Sequence, residues 1–317
     1  IAMAASFISR AHGGPQLLYA LLFGVAFHFL FDDAKIRPGI EFCTGLVLRF
    51  GVALLGARIT IAQISALGWS TALIVIGCVL STIFGGIWLA RRLGLSTAQG
   101  LLSGGATAIC GASAALAISA VLPRTREQER FTLLVVVSVT SLSTLAMLLY
   151  PLLVHAFQLS PAMAGLFLGG SIHDVAQVVG AGYLLGKETG DAATIVKLFR
   201  VSMLALVVIA VSAAFRSHRS SVDDADPPSR PALVPWFLWA FAALVILHSM
   251  HFIPDLAQPA IADVSRSCLV LAIGALGVKT SFQMLFRTGW RPFALLLVET
   301  IWLACALLVA IVLSRPS

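Results

Sequence analysis

The chain has 317 residues, 59% of them hydrophobic and 11% charged, with a mean hydropathy of +0.97. These values exclude a water-soluble domain and a disordered chain. The net charge of +7 is scattered over loops and apolar runs without forming a basic stripe, which argues against nucleic acid as a partner. Five cysteines (Cys43, Cys78, Cys110, Cys268, Cys305) lack CxxC or Cys/His spacing, so neither a disulfide framework nor a metal site is expected.

A helix crossing ~30 Å of hydrocarbon needs about 20 apolar residues, and the chain reads as an all-α polytopic protein of the lipid bilayer. It opens on the apolar stretch Ile1–Ile8 with no basic region before it, read as the end of an earlier helix. Apolar runs then predict ten spans: Gln16–Phe31, Pro38–Arg58, Gly68–Ala90, Ala98–Leu122, Phe131–Phe157, Pro161–Gly186, Asp191–Phe215, Ala232–Met250, Asp263–Phe286 and Gly289–Ser314. The polar, Pro/Ser-rich stretch 216–231 divides a first membrane portion, 1–215, from a last portion, 232–317. Arginines flank both ends of the fourth span (Arg91 and Arg92; Arg124, Arg126 and Arg130). The positive-inside rule cannot satisfy both ends, so that segment is not expected to be a plain helix.

An internal repeat is visible. Leu55-Gly56-Ala57-Arg58 followed by Gly68-Trp69 recurs 221 positions later as Leu276-Gly277-Val278-Lys279 followed by Gly289-Trp290. The offset carries the first three spans onto the last three, with opposite orientations in the membrane. That is the inverted repeat of many secondary transporters.

Two segments depart from the bulky composition of lipid-facing helices. Ser103–Ser113 contains Gly104, Gly105, Thr107, Cys110 and Ser113, and Gly169–Gly182 contains Ser171, His173, Asp174 and Gln177. Glycine costs roughly 1 kcal/mol per helical position relative to alanine, and interrupted helices persist at membrane depth only where backbone is buried or lines a cavity. Both segments are candidate discontinuous helices. Steps of three residues (Thr107, Cys110, Ser113; Ser171, Asp174, Gln177) predict one polar stripe on each, while packing through small residues is the alternative.

Asp174 is the most informative residue, because a carboxylate at mid-span costs about 2.5–3.5 kcal/mol and is usually paired or functional. Lys197 and Arg200 on the next span are the expected partners. An Asp174–Lys197 ion pair would leave Arg200 free for an anion. His173 is a candidate proton relay or a hydrogen-bonded structural group. Arg58 and Lys279 could line an anion path, and Glu299 has no evident partner.

The blocks GGATAICGASA (Gly104–Ala114), TLAMLLYPLL (Thr144–Leu153), SIHDVAQVVGAG (Ser171–Gly182) and TIVKLFRVSML (Thr194–Leu204), preceded by LLGARITIAQISALGW (Leu54–Trp69), closely resemble the YeiH-like sulfate exporter family of the bacterial inner membrane. The resemblance implies a fold similar to the sodium/proton antiporter and bile-acid symporter superfamily, with inverted five-helix repeats, a panel domain and a core domain. It also implies outward movement of a small anion, sulfate or an organosulfonate.

The expected activity is therefore secondary anion transport and not catalysis, with no cofactor. Half-helix N-termini near Gly104–Thr107 and Gly169–Ser171, together with Arg200, would bind the anion. Asp174 and Lys197 would couple binding to a proton or sodium ion, and a homodimer is compatible. A sodium/proton antiporter of the same fold and a passive anion channel remain alternatives.

Overall fold

The computed structural model describes residues 1–12, 16–123, 125–215, 236–254, 256–279 and 290–314, and among them there are helices and no strands. In chain order the helices are α1 (Ala2–His12), α2 (Gln16–Ala26), α3 (Arg37–Arg58), α4 (Ile61–Ala66), α5 (Gly68–Arg92), α6 (Thr97–Ala108) and α7 (Ala112–Ser119). They continue with α8 (Arg126–Ala156), α9 (Pro161–Ser171), α10 (Val175–Leu185), α11 (Lys187–Ala214), α12 (Trp236–Ser249), α13 (Ala257–Lys279) and α14 (Trp290–Leu313). The linker at 216–231 and Gly289 of the second Gly-Trp pair lie outside the described residues.

Six of these helices, α3, α5, α8, α11, α13 and α14, are long and apolar enough to cross a bilayer. The ten predicted spans are thus not reached by this measure. Ala98–Leu122 is divided into α6 and α7 and Pro161–Gly186 into α9 and α10, while α2 and α12 are short. Large apolar side chains such as Trp69, Leu73, Phe84, Leu206 and Trp302 stay exposed, as befits surfaces that meet lipid.

Two packing arrangements organise the helices. In the first, α2 lies on α13 and α12 lies on α3, with α3 also against α13. Backbones touch there. A Cβ on Gly277 would come within 2.4 Å of the Leu21 carbonyl, and a Cβ on Gly56 within 2.4 Å of the Phe241 carbonyl. No side chain fits at either position. In the second arrangement α5 packs on α6, α9 and α10 pack on α11, and α14 reaches α5, α6, α8 and α9.

Local signals set the helix starts. Ser96 and Gln99 form a reciprocal capping box at α6, the Thr125 hydroxyl caps α8, and Pro161 opens α9.

Candidate functional site

Each polar segment identified in the sequence contains a backbone break. α6 ends at Ala108, and Gly111 starts α7 from φ +65°, a conformation that costs glycine little. α9 ends at Ser171, and Asp174, extended at φ −95° and ψ 145°, starts α10. Here the Asp174 side chain accepts from the Ala176 N–H at 3.1 Å, and its own N–H donates to the Ser143 hydroxyl at 3.0 Å. The stripes expected from steps of three are therefore not continuous, because the helical period is lost at 109–111 and 172–174.

A helix end leaves its last four carbonyls without intrahelical donors. At both breaks α11 supplies the donors. The Lys197 ammonium donates to the carbonyls of Ile109 (2.6 Å), Ile172 (3.0 Å) and His173. Arg200 donates through Nε to Ala108 (2.9 Å), through Nη1 to Gly169 (2.9 Å) and Ile172 (3.0 Å), and through Nη2 to Thr107 (3.1 Å) and Ala108 (2.7 Å). Both side chains have 0% exposure. They lie one turn apart on one helix and fasten the C-terminal ends of α6 and α9 to it, where the negative ends of the helix dipoles favour cations. Hydrogen bonds to charged groups are worth ~1.5–3 kcal/mol each, so this cluster anchors both breaks.

Several expectations are corrected by this geometry. Asp174 and Lys197 do not form an ion pair; among the described residues the one salt bridge is Arg37–Glu41, at 3.1 Å. Lys197 satisfies orphaned carbonyls instead, and Asp174, only partly buried, serves as a helix cap. Arg200 has no free donor, since its five N–H groups make five contacts. Gly104–Thr107 and Gly169–Ser171 lie at the C-terminal ends of α6 and α9; the N-termini of α7 and α10 are capped by Gly111 and Asp174.

Gly104 packs on Thr82 and Ile83 of α5, and Gly105 on Ile118, so both serve close packing. Ser113 is exposed, whereas Cys110 is buried at the break, with its sulfur near the Ala114 N–H. Ser171 donates back to the Phe167 carbonyl, inside its own helix.

The remaining expected residues do converge. His173, fully buried, has Nδ1 3.1 Å from the Thr107 carbonyl and Nε2 3.0 Å from the Thr300 hydroxyl. A carbonyl only accepts, so Nδ1 carries a proton. Gln177 donates to Thr144 at 3.3 Å, and its Oε1 is buried without a partner among the described residues, as is the Ser138 hydroxyl. The sequence left Glu299 open. In the structure its Oε1 accepts from Ser103 (2.8 Å) and its Oε2 from Thr107 (3.1 Å), at 3% exposure.

A second concentration of positive charge lies where α2, α3, α10 and α13 meet the start of α11. Arg58, Lys187 and Arg266, with Gln16 and Tyr183, line a cavity of about 260 Å³. Arg58 stands 5.6 Å over the Tyr183 ring, and Arg266 donates to Gln16 at 2.9 Å. Tyr183 in turn donates to Asp191.

Membrane-length helices enclosing a buried polar cluster define a multi-pass membrane protein. The model of a family described as conserved hypothetical protein 698 matches residues 1–296, and the chain belongs to this family, consistent with the YeiH-like resemblance of its motifs. Among its relatives are a UPF0324 membrane protein of Chlorobaculum tepidum, 48% identical over 98% of this chain and 87% of its own length, and the UPF0324 membrane protein TauZ of Paracoccus pantotrophus, 48% identical over 96% and 90%. TauZ of Paracoccus denitrificans is 46% identical over 96% of this chain and 90% of its own length. No solved structure matches the chain.

Proposed function

We propose that the protein is a secondary transporter that exports a small anion, sulfate or an organosulfonate, across the bacterial inner membrane by alternating access. The observation that carries this reading is the pair Lys197 and Arg200, buried at two helix breaks and held by backbone carbonyls without an acid in ion-pair range. Two side chains contribute +2, and two helix C-termini offset roughly −1 of it. With the Glu299 carboxyl, which Thr107 joins to the cluster, in its protonated form, about one positive charge is left over. Asp174, with −1, faces the positive ends of α7 and α10, roughly +0.5 each. The surplus favours an anion over a cation as cargo.

The anion would bind beside the first turns of α7 and α10, where Cys110, His173, Asp174 and Gln177 cluster. The Arg58–Lys187–Arg266 cavity would gather it from solution. In this reading the broken pairs α6–α7 and α9–α10 each cross the bilayer as one discontinuous helix, and with α2 and α12 the crossings number ten.

The inverted repeat belongs to the same proposal. Under the 221-residue offset helices α3 and α13 end at equivalent residues, Arg58 and Lys279, and begin within one residue of each other; the offset also relates Gly56 to Gly277. Each of these glycines lies against the first helix of the other copy, Gly56 on Phe241 and Gly277 on Leu21. Reciprocal contacts of this kind are what a two-fold axis in the membrane plane produces, and such a joint allows one bundle to rock against the other. The cluster on α11 would then be the core and α2, α3, α12 and α13 the panel.

Counterflow in proteoliposomes tests the reading. Liposomes preloaded with unlabelled sulfate or methanesulfonate are expected to accumulate the labelled anion transiently and saturably. Flux that responds to sodium or proton gradients alone would overturn anion transport in favour of a cation antiporter. Conductance far above carrier turnover would replace a carrier by a channel.

A further inference from the structure

We propose that Glu299 is a proton-binding site of this carrier, alternating between carboxylate and carboxylic acid within the α5–α6–α14 contact. Its part in the cycle rests on the transporter reading, whereas the binding of the proton does not. The carboxyl group is enclosed on all sides. Ser103 and Thr107 of α6 each approach one oxygen, and Gly86 of α5 lies so close to Oε1 that a Cβ there would come within 2.4 Å.

The hydrogen bonds suit either protonation state. Ser103 Oγ lies 2.8 Å from Glu299 Oε1 and 3.1 Å from the Gly100 carbonyl, and it has one hydrogen for two acceptors. With a carboxylate, that hydrogen points to Oε1. With the acid, Oε1–H donates to Ser103 Oγ, and the serine hydrogen turns to the Gly100 carbonyl. The exchange needs one hydroxyl rotation, and no buried polar group loses its partner.

Protonation here also reaches the helix breaks. Thr107 meets Glu299 through its hydroxyl, while its carbonyl accepts from Arg200 and His173, each at 3.1 Å. Thr300, the next residue on α14, meets the other nitrogen of His173. The charged and titratable side chains on the elements packed around Glu299 are Cys78, Arg91 and Arg92 on α5, Arg126, Glu127, Glu129, Arg130, Tyr150 and His155 on α8, and His173 and Asp174 at the α9–α10 break, with Lys197 and Arg200 beyond it on α11. Its own helix adds Arg291 and Cys305, while α6 and α9 contain no titratable residue. None of these basic groups forms an ion pair with Glu299, so a proton neutralises the carboxylate without displacing a partner.

Infrared difference spectroscopy of the purified protein across a pH series tests the site directly. A protonated-carboxyl stretch that titrates is expected in the wild type, missing from Glu299→Gln and shifted in Ser103→Ala, which removes the alternating hydroxyl. In proteoliposomes, stimulation of anion flux by a pH gradient is expected to fall at least about tenfold in Glu299→Gln and less in Ser103→Ala. A band unchanged in both variants, or equal pH-gradient stimulation in wild type and Glu299→Gln, overturns the proposal and leaves anion transport standing. A titrating Glu299 band in a protein that carries no anion supports the proton site and removes the transport reading instead.

Discussion

The region around α11 and the region where α2 and α12 meet α3 and α13 solve the same problem, helix association inside a bilayer, by opposite means. Around α11 the joints are electrostatic. Two buried cations hold two broken helices through carbonyl groups that the breaks themselves expose. In the α2/α12 region the joints are steric: Gly56 and Gly277 let backbones touch, and no charge enters the contact. The hydrophobic effect drives little helix association in lipid, so each joint needs its own source of energy. Orientation-dependent hydrogen bonds make the first rigid and specific. Contacts between small residues give the second the sliding or pivoting surface that the proposed cycle requires.

The largest effect should come from breaking the electrostatic joint. In Arg200→Ala the Ala108 and Gly169 carbonyls lose the donor they have across the breaks, and each buried orphan costs ~1–3 kcal/mol. With the lost packing, the penalty should exceed about 4 kcal/mol. Size-exclusion chromatography in mild detergent should recover little monodisperse protein. Arg200→Lys should restore it only partly, since a point charge does not reproduce the guanidinium fork.

Next in size are Gly56→Ala and Gly277→Ala. Each places a methyl group against backbone, for a cost of ~1–3 kcal/mol, readable as a lowered unfolding temperature. The two losses should be similar if the proposed repeat relates the sites. A large loss at one site and none at the other would break the proposed symmetry.

Asp174→Asn should change stability by less than about 0.5 kcal/mol, because asparagine caps a helix as aspartate does, whereas Asp174→Ala should cost ~1 kcal/mol. Driven anion flux should nevertheless fall in Asp174→Asn. Ser113→Ala, at an exposed position, should have the smallest effect, within ±0.5 kcal/mol in thermal unfolding.

Much of this contrast was legible in the sequence, and the part that was not has a physical reason. Apolar runs and the glycines of Ser103–Ser113 and Gly169–Gly182 marked the membrane class and the segments that contain breaks, since composition carries that information directly. The Asp174–Lys197 pair was misread because sequence displays charged side chains but not orphaned carbonyls. Once helices break, the backbone becomes the better partner for a buried ammonium. Which helix ends lie at Gly104–Thr107 and Gly169–Ser171 was misread for a related reason: the glycines precede the breaks, and the residues that begin the next helix, Gly111 and Asp174, lie downstream. Glu299 left a faint trace. Ser103 and Thr107 are four residues apart and so share a face of α6, but the acid they hold lies 196 and 192 residues away. Only the tertiary contact of α6 with α14 unites them.

The most direct test of the central claim, a net positive site awaiting an anion, is thermal unfolding of the purified wild-type protein in choline sulfate, choline methanesulfonate and sodium gluconate. Stabilisation by a bound ligand approaches ~2.7 kcal/mol at one hundred times its dissociation constant. The account predicts that the unfolding temperature rises with the sulfur oxyanions in choline solution and stays at its buffer value in sodium gluconate. A rise that follows sodium, with none from sulfate or methanesulfonate, would contradict it.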